Sequence, residues 1–386
     1  MALGVALERH GVSSLIIEGG PGIPVVARGE LLQPNGLRVL DRLHVLDALL
    51  AQDVCRVDTV HMYEAGGRLL LTSSYRMLDP PHNYALVHKP HLLRQVLQAQ
   101  LGSARIWWDA RPQRIERDGQ TWRITVRSAD GVRVVRAPML VGADGAHSMV
   151  RQALGIRAAV RAYRDAYALT VVPRPTGLGE AARQYHGGGA LLGLLPVSSS
   201  QLYVYWHVPA ALMDRFRSST VTELREQICA VAPDVGPSLE LPPPPAWLCL
   251  RPARVNARSW VVDGGALVGD ASHALNPNAG QGTNQALEDA WVLAETIEEC
   301  LKAGRLRAQD LRRYEQLRRP AAAFAQRLGE LYAFWWTSSS QLLNALYRRT
   351  ARNAARYPEI MQKMVAQTAG LAATPLGMLE QLKLLV

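Results

Sequence analysis

Residues 265–291, GALVGDASHALNPNAGQGTNQALEDAW, carry the most informative pattern in the sequence. Residues 266–268 are apolar enough to form a buried strand of a parallel sheet. Gly269 lets a ligand approach the end of that strand closely, and Asp270 can accept hydrogen bonds from ligand hydroxyl groups there. The pattern predicts a strand whose end faces a bound molecule.

The turn after this strand contains Pro277, Gly280 and Gly282, and a long helix is predicted from about Asn284 to Ala303. Backbone N–H groups at such a helix start favour an electron-rich or anionic group. A tight link between strand and helix would explain the glycines alone. It would not explain the aspartate at the end of the buried strand.

This stretch resembles the second FAD-binding motif of the single-component aromatic hydroxylases, the FAD-dependent monooxygenases related to p-hydroxybenzoate hydroxylase and the ubiquinone-pathway hydroxylases. The family pattern is Gly-Asp, Ala-x-His, Pro and Gly-x-Gly-x-Asn with a downstream Asp. It maps onto Gly269, Asp270, Ala271, His273, Pro277, Gly280, Gly282, Asn284 and Asp289. The resemblance implies that Asp270 holds the flavin ribityl chain and that the amides of residues 280–284 meet the pyrimidine edge of the ring.

A second motif, LVGADGAHSMVRQALGI, spans residues 140–156 and reads as a strand, a turn and a helix. Its Asp144, Gly145, Ser148 and Arg151 match the family's Asp-Gly motif. The resemblance places this segment near the flavin pyrophosphate and near the path of the nicotinamide donor.

The N-terminal segment MALGVALERHGVSSLIIEGG, residues 1–20, predicts a helix over 3–10 and a strand over 13–17 that ends at Glu18. In the related enzymes an acidic residue at this place binds ribose hydroxyls, which Glu18 suits. Arg28 and Arg94 match two family arginines that lie near the cofactor.

The family's Gly-x-Gly-x-x-Gly loop is not found near the start of this sequence. We expect that the natural chain begins on the order of 20 residues upstream, as a complete βαβ unit requires. We also expect that the sequence as given binds FAD poorly. The alternative is a degraded relative of the family.

The strand QLYVYWHVP, residues 201–209, carries Tyr203, Tyr205 and His207 on one face. Two interpretations are open. The face is a polar edge in contact with solvent, or it lies over the flavin and positions or deprotonates a phenol. These three residues are the candidates for catalysis.

The order of predicted elements favours an α/β fold, in which a Rossmann-like FAD-binding domain is interrupted by a β-sheet substrate domain and followed by C-terminal helices. Further predictions are a helix over 35–50, a hairpin turning at 129–131, and helices after residue 308 broken at Pro320 and Pro358. The predicted segments are 1–70, 101–157 and 256–310 for the FAD domain, 71–100 as a connection, 158–255 for the substrate domain and 311–386 for the helical region.

The amino-acid composition excludes several classes of partner and site. Lys and Arg number 43 against 33 Asp and Glu, but no nucleic-acid motif accompanies this charge. No apolar run is long enough to span a membrane, and the start lacks a signal-peptide pattern. The four cysteines have no metal-ligand spacing, which predicts a cytoplasmic protein without a metal site. We interpret a basic group in the C-terminal helices as a face in contact with solvent. The alternatives are a cap on the substrate domain, a peripheral membrane contact or a homodimer face. We expect the chain to be a monomer or a homodimer. The group consists of Arg348, Arg349, Arg352 and Arg356.

The resemblance implies a monooxygenase. NADPH or NADH reduces the FAD, O₂ adds to form a flavin hydroperoxide, and an aromatic or quinone-like small molecule in a biosynthetic pathway is hydroxylated. Other flavoenzymes of the same fold, such as an epoxidase or reductase, are an alternative, and a halogenase is disfavoured because no Trp-x-Trp-x-Ile-Pro motif is present. A non-catalytic truncated homologue is the third hypothesis.

Overall fold

The computed structural model describes residues 1–101 and 106–385. Its strands are β1 (Ile16–Ile17), β2 (Glu30–Leu32), β3 (Cys55–Val57), β4 (Thr59–Glu64), β5 (Leu69–Ser74), β6 (Ala85–His88), β7 (Ile106–Trp107), β8 (Arg111–Asp118), β9 (Thr121–Ser128), β10 (Gly131–Ala137), β11 (Leu140–Gly142), β12 (Ala158–Ala162), β13 (Asp165–Pro173), β14 (Ala182–Gly187), β15 (Ala190–Pro196), β16 (Gln201–Pro209), β17 (Leu248–Leu250), β18 (Ala253–Ala257), β19 (Val261–Val262) and β20 (Gly265–Leu267). Its α-helices are α1 (Ala2–Arg9), α2 (Pro34–Arg42), α3 (Leu46–Leu50), α4 (Pro90–Ala99), α5 (Met149–Ala153), α6 (Met213–Ser218), α7 (Val221–Val231), α8 (Asp270–His273), α9 (Gly282–Lys302), α10 (Ala308–Trp336), α11 (Gln341–Ala354), α12 (Pro358–Thr368) and α13 (Met378–Leu385).

Short parallel strands covered by helices carry both sequence motifs. β11 runs parallel to β20, with Leu140 opposite Gly265, and β1 runs parallel to β7. α1 and α2 pack on α9, and Leu37, Leu267 and Leu293 are fully buried in the shared core. Each such leucine contributes about 1.5–3 kcal/mol of burial free energy. Because parallel strands end at the same edge of a sheet, the turns after β11 and β20 lie side by side.

The larger sheet has the strand order β17-β13-β16-β15-β14-β4-β5. β16 therefore lies inside the sheet, and both of its faces are covered. Leu202 and Val204 pack into a core that includes Leu224 and Ile228 of α7, whereas Tyr203 and Tyr205 point to the opposite side. The interpretation of residues 201–209 as a solvent-facing polar edge is wrong. Together with the helix-covered strands, this sheet confirms the predicted α/β class.

The large sheet also contains residues that the sequence analysis predicted to lie in the FAD domain. β4 pairs with β14 in parallel, with Val60 opposite Ala182, and β5 pairs with β4. Residues 59–74 thus belong to the large sheet, although the first predicted FAD-domain segment extended to residue 70. The apolar alternation of these two strands carries no information about which sheet they join, because β14, the strand that pairs with β4, is more than 100 residues away.

The predicted hairpin is present as β9 and β10, with Gly131 opposite Ser128. Trp122 of β9 is buried, and its Nε1 donates to the Gly264 carbonyl oxygen at 2.7 Å. This hydrogen bond fixes the hairpin to the loop before β20, so the hairpin supports the strand that carries the main motif.

The helix predicted over 35–50 is two helices, α2 and α3. His44 lies between them with φ of 52°, and the amide of Val45 donates to the Leu40 carbonyl oxygen at 3.0 Å. A left-handed residue followed by this bond is the Schellman helix end. The leucine spacing continues through the break, so periodicity alone could not reveal it.

The C-terminal helices differ from expectation at one proline. α10 continues through Pro320, although a proline inside a helix removes a hydrogen bond and crowds the preceding turn. Tyr314, Arg318 and Ala322 are buried on either side of it against α9 and β19, and this packing offsets the local cost. The break at Pro358 is confirmed, since it begins α12.

α11 packs on β5 at the edge of the large sheet. Arg348 donates to Glu64 of β4 at 2.7 Å, and Ala351 is buried beside Leu71. This contact corresponds to the substrate-domain cap among the four interpretations of the basic group. Within the described residues, none of the helices is long and apolar enough to cross a membrane.

Candidate cofactor and substrate site

Gly269 forms the turn that ends the central strand segment. Its φ of 57° and ψ of −136° belong to a region that only glycine adopts without strain. A Cβ built there would lie 3.0 Å from the Cβ of Ala286 in α9. The glycine thus allows α9 to approach the end of β20 closely.

A buried carboxylate holds this turn in place. Asp289 is fully buried, and its Oδ2 accepts hydrogen bonds from the Gly269 amide at 2.9 Å and from His273 Nε2 at 2.5 Å. Its Oδ1 accepts from Arg318 Nε at 2.9 Å. Burial pushes the pKa of Asp289 upward, but the charges and hydrogen bonds of its partners outweigh burial and place that pKa below its usual value. Asp289 therefore remains charged and organises the motif.

His273 has a structural role in this arrangement. Besides donating to Asp289, its ring packs on Trp260 with centroids 4.6 Å apart. Its position agrees with the packing and hydrogen-bonding role expected from the sequence.

Asp270 lies in a concave part of the same turn. Its side chain is reached by solvent, yet the surrounding protein withdraws enough water to raise the pKa of the carboxyl, with the charge of His273 opposing this shift. No described residue donates a hydrogen bond to it. A carboxylate so placed is available to accept hydrogen bonds from ligand hydroxyl groups.

The glycine turn before α9 leaves space for a ligand. Gly280 has φ of 61°, and a Cβ there would come within 3.1 Å of Leu31. Gly282 begins α9, and a Cβ on it would meet no described atom within 4 Å. Gln281, at the N-cap, makes no side-chain hydrogen bond to the first amides of this 21-residue helix, and such amides stabilise an electron-rich group placed beside them.

The side chain of Asn284 makes contacts within the protein, whereas the ligand contact expected from the sequence involves the backbone amides of residues 280–284. Asn284 Oδ1 accepts from the Gln33 amide at 2.9 Å, and its Nδ2 donates to the Leu31 and Gly280 carbonyl oxygens. The side chain is fully engaged in joining α9 to the segment between β2 and α2. It shapes the glycine turn, and only its backbone remains for a ligand.

The second motif forms a cap for α5. Asp144 Oδ2 accepts from the Val150 amide at 3.0 Å, and Gly145 has φ of 81°. Arg151 is buried, and its Nη1 donates to the Ala271 carbonyl oxygen at 2.8 Å. This last bond joins the two motifs directly, as the parallel strands require.

Glu18, Arg28 and Arg94 lie on separate segments. Glu18 is exposed at the end of β1. Burial lowers the pKa of the Met1 amino group, the charge of Glu18 raises that pKa, and the charge of Arg94 lowers it. Glu18 and Arg94 therefore lie near the start of α1. Arg28 pairs with Glu30 at 2.6 Å, and its Nε is buried without a partner.

A cavity of about 210 Å³ adjoins the glycine turn. One wall is the turn itself, residues 277–280, and the opposite wall is the large sheet with α10 and α12. The residues of the cavity wall include Glu30, Tyr167, Gln184, Tyr203, Tyr205, Leu250, Asn278, Tyr332 and Trp336.

Of the three catalytic candidates, Tyr203 and Tyr205 line this cavity and His207 does not. The Tyr203 ring packs so closely on Gly29 that a Cβ there would lie 2.7 Å from it. Burial raises the pKa of both tyrosines above its usual value, so both hydroxyl groups stay protonated. His207 Nε2 lies 2.9 Å from Asp165 Oδ1, outside the cavity wall.

Sequence reasoning had no basis for selecting Tyr167, Gln184 or Trp336, although all three line the cavity. Tyr167 and Gln184 lie on strands whose alternation shows only that they share faces with apolar residues. Trp336 comes from the end of α10, far along the chain. Asn278 was also missed, but it had a signal, because it lies within the motif turn.

These features fit FAD. Asp270 and Glu18 can accept hydrogen bonds from ribityl and ribose hydroxyl groups. The amides at the start of α9 and the incompletely paired guanidinium groups of Arg28 and Arg94 suit negatively charged or electron-rich groups such as phosphates. Within the described residues, no group of three or more His, Cys, Asp or Glu side chains could hold a metal ion.

Comparison with known proteins gives the same assignment. The family described as FAD binding domain matches residues 1–328. The chain is 26% identical over 366 residues to 6-methylpretetramide 4-monooxygenase of Streptomyces rimosus, covering 93% of this chain and 87% of that protein. It is 29% identical over 337 residues to the ubiquinone hydroxylase of Rhodospirillum rubrum, covering 82% and 75%.

Among solved structures, p-nitrophenol 4-monooxygenase of Pseudomonas putida superposes with a TM-score of 0.83 at 19% identity, covering 97% of this chain and 96% of that one. At this identity the likeness concerns the fold. With the match over residues 1–328, the chain belongs to the FAD-binding-domain family and is an FAD-dependent monooxygenase of the aromatic-hydroxylase type.

Proposed function

We propose that this protein uses NADPH or NADH to hydroxylate an aromatic or quinone-like small molecule of a biosynthetic pathway. The observation that carries the proposal is the shared wall: the turn of residues 277–280, which leads into the open start of α9, also bounds the aromatic cavity. A cofactor ring held at this turn would face the cavity directly. When bound and reduced, FAD supplies the activation of O₂ and the transfer of one oxygen atom.

In this proposal the chain's own residues bind and orient. Asp270 accepts hydrogen bonds from the ribityl chain, Glu18 from the ribose, and the amides after Gly280 contact the ring edge. Arg28 and Arg94 offset negative charge on the cofactor. Asp144 and Gly145 hold the α5 start beside these groups, near the pyrophosphate.

On the substrate side, residues of the cavity wall exclude water and position the ring. Tyr203 and Tyr205 remain protonated and offer hydroxyl groups, and no histidine among the described residues lines the wall. The wall therefore contributes position and hydrogen bonding, and a role for His207 in proton transfer is not supported by its place beside Asp165.

The cofactor assignment is tested by titrating the protein from its full coding sequence with FAD and following flavin fluorescence. Asp270→Ala is expected to weaken FAD binding about tenfold or more, because a hydrogen bond to a charged group is lost. Asp214→Ala is the control, since the Asp214 side chain is 99% exposed in α6. Equal FAD affinity for the two variants would contradict the assignment of Asp270.

The same titration on residues 1–386 tests the separate prediction that this form binds FAD poorly. Substrate-stimulated oxidation of NADPH or NADH, with ¹⁸O from ¹⁸O₂ appearing in the product, distinguishes a hydroxylase from a reductase. Reduction of the substrate without oxygen incorporation would overturn the proposed reaction. Location in the cytoplasm, a peripheral membrane contact and the monomer or homodimer state stay predictions.

A further inference from the structure

We infer that the cavity selects a neutral aromatic ring that bears a hydroxyl or carbonyl oxygen, and that it rejects aromatic carboxylates. This inference rests on the proposed function, which makes the cavity the substrate chamber. It concerns the charge and polar groups of the substrate, which neither the family nor the fold specifies.

The charge on the cavity wall is the first ground. Among the described residues that line it there is no Lys, Arg or His, and the one acidic residue is Glu30. The Glu30 carboxylate is already paired with Arg28 at 2.6 Å. A substrate carboxylate would lose its water, find no counter-ion in the wall and lie in the same cavity as Glu30, and burying such an unpaired charge costs several kcal/mol.

Two polar atoms in the wall lack partners, and they form the second ground. Asn278 Oδ1 accepts from the Tyr167 hydroxyl at 3.0 Å, but Asn278 Nδ2 is buried without a partner. Gln184 Nε2 donates to the Tyr205 hydroxyl at 2.7 Å, but Gln184 Oε1 is buried without a partner. Neither atom is reached by solvent in the cavity, so a ligand would bond to them once the Asn278 and Gln184 amides turn toward it. An unsatisfied buried group of this kind costs about 1–3 kcal/mol, which a ligand that completes the bond recovers.

The two unmet atoms define complementary groups on a ligand. Asn278 Nδ2 can donate to a carbonyl or hydroxyl oxygen, and Gln184 Oε1 can accept from a hydroxyl or N–H group. An ionised carboxylate can only accept, so it would leave Gln184 unsatisfied. The wall thus offers a donor and an acceptor without a formal charge on either.

The remaining wall is aromatic. Tyr332 and Trp336 are stacked with centroids 4.4 Å apart, and Tyr203 and Tyr205 have centroids 5.9 Å apart on the other side. Such surfaces favour a flat ring by stacking and edge contacts. The geometry and the polar atoms together point to a phenol, or to a ring carbonyl compound that also carries an O–H or N–H group.

The test measures binding directly, by isothermal titration at pH 7.5 with the FAD-loaded protein. The probes are 1-naphthol, 1-naphthamide and 1-naphthoate. The amide and the carboxylate have nearly the same shape and differ in charge, so their comparison separates charge from size. We expect 1-naphthol and 1-naphthamide to bind about a hundredfold more tightly than 1-naphthoate. Equal or tighter binding of 1-naphthoate, or no binding of any probe, would overturn the inference.

A variant tests the cause. Leu250 is half-buried in the cavity wall on β17, and Leu250→Arg would bring a guanidinium to the cavity. It should raise the affinity for 1-naphthoate at least about tenfold and narrow the preference for 1-naphthamide. Leu248→Arg, on the same strand but outside the wall, is the matched control. If Leu250→Arg folds and gains no affinity for 1-naphthoate, the missing counter-ion is not the reason for selection and the inference fails.

The outcome is separable from the proposed function. If FAD does not bind, the proposed function fails before any probe is added. If FAD binds and oxygen is incorporated, yet 1-naphthoate is the preferred ligand, only the inference on charge fails.

Discussion

Replacing Asp289 by Asn tests whether this buried carboxylate organises the main motif. Asp289 is fully buried and accepts hydrogen bonds from the Gly269 amide, His273 and Arg318. The side chain of Arg318 is 6% exposed, so its charge would lose its closest counter-ion in a dry environment. Breaking a buried pair in this way costs about 3–5 kcal/mol.

The lower end of this range applies, because Arg318 keeps other partners. Its Nη2 also donates to Gln285 Oε1 at 2.6 Å and lies 3.1 Å from Glu288. The amide nitrogen that Asp289→Asn introduces would in turn face donors. We expect a loss of about 3 kcal/mol in the free energy of unfolding, measured by urea titration of tryptophan fluorescence.

The control is Glu299→Gln, which removes the exposed ion pair with Arg313 and should leave the free energy of unfolding unchanged within error. The pH dependence gives a second readout. Because the pKa of Asp289 is lowered in the folded state, its stabilisation is present above the unfolded pKa of about 3.9 and is lost as pH falls through the folded value. Asp289→Asn should therefore flatten the loss of stability below about pH 4. A change under about 1 kcal/mol at neutral pH would refute the organising role.

Two further predictions concern the helix start and a buried histidine. Gly282→Val places a branched side chain in the open space at the start of α9. The affinity for FAD should fall roughly tenfold while the fold is retained. Ala303→Val, at the other end of the helix, should leave the FAD affinity unchanged, and a flavin-fluorescence titration measures the affinity of both variants. Burial lowers the pKa of His186 to about 3. As the pH falls, this imidazole therefore becomes protonated in the unfolded chain while it stays neutral in the folded protein. The free energy of unfolding should fall by about 2 kcal/mol between pH 6.5 and pH 5 because of this one group. His186→Phe should remove that loss in urea titrations at the two pH values, while an unchanged slope, or an equal effect of the exposed His147→Gln control, would contradict it.

The cofactor side could be predicted from sequence because its chemistry fixes residue types at fixed spacings. A strand end that must approach a ligand requires Gly269, and an open helix start favours Gly282. The same spacing places Asn284 at the start of α9, but it does not predict the hydrogen bond that its side chain accepts from the Gln33 amide.

The substrate side could not be predicted in the same way. Its wall is assembled from the segment around Glu30, from β13, β14, β16, α10 and α12, and from the motif turn, so wall residues are up to about 340 residues apart in sequence. Alternation identified the face that carries Tyr203 and Tyr205 but not what covers it. Pro320 shows the complementary failure, since local propensity predicted a break that the packing of α10 on α9 overrides.

The packing of α1 on α9 has a consequence for how the protein is made. About 280 residues separate these helices in the chain, and a ribosome adding about 5–20 residues per second needs roughly 15–55 s to cover that distance. Throughout this interval the leucine face of α2 also lacks α9, its eventual partner. The apolar faces of α1 and α2 therefore wait for their partner during this interval, and the part of the FAD site that α9 provides can form only after α9 has been synthesised.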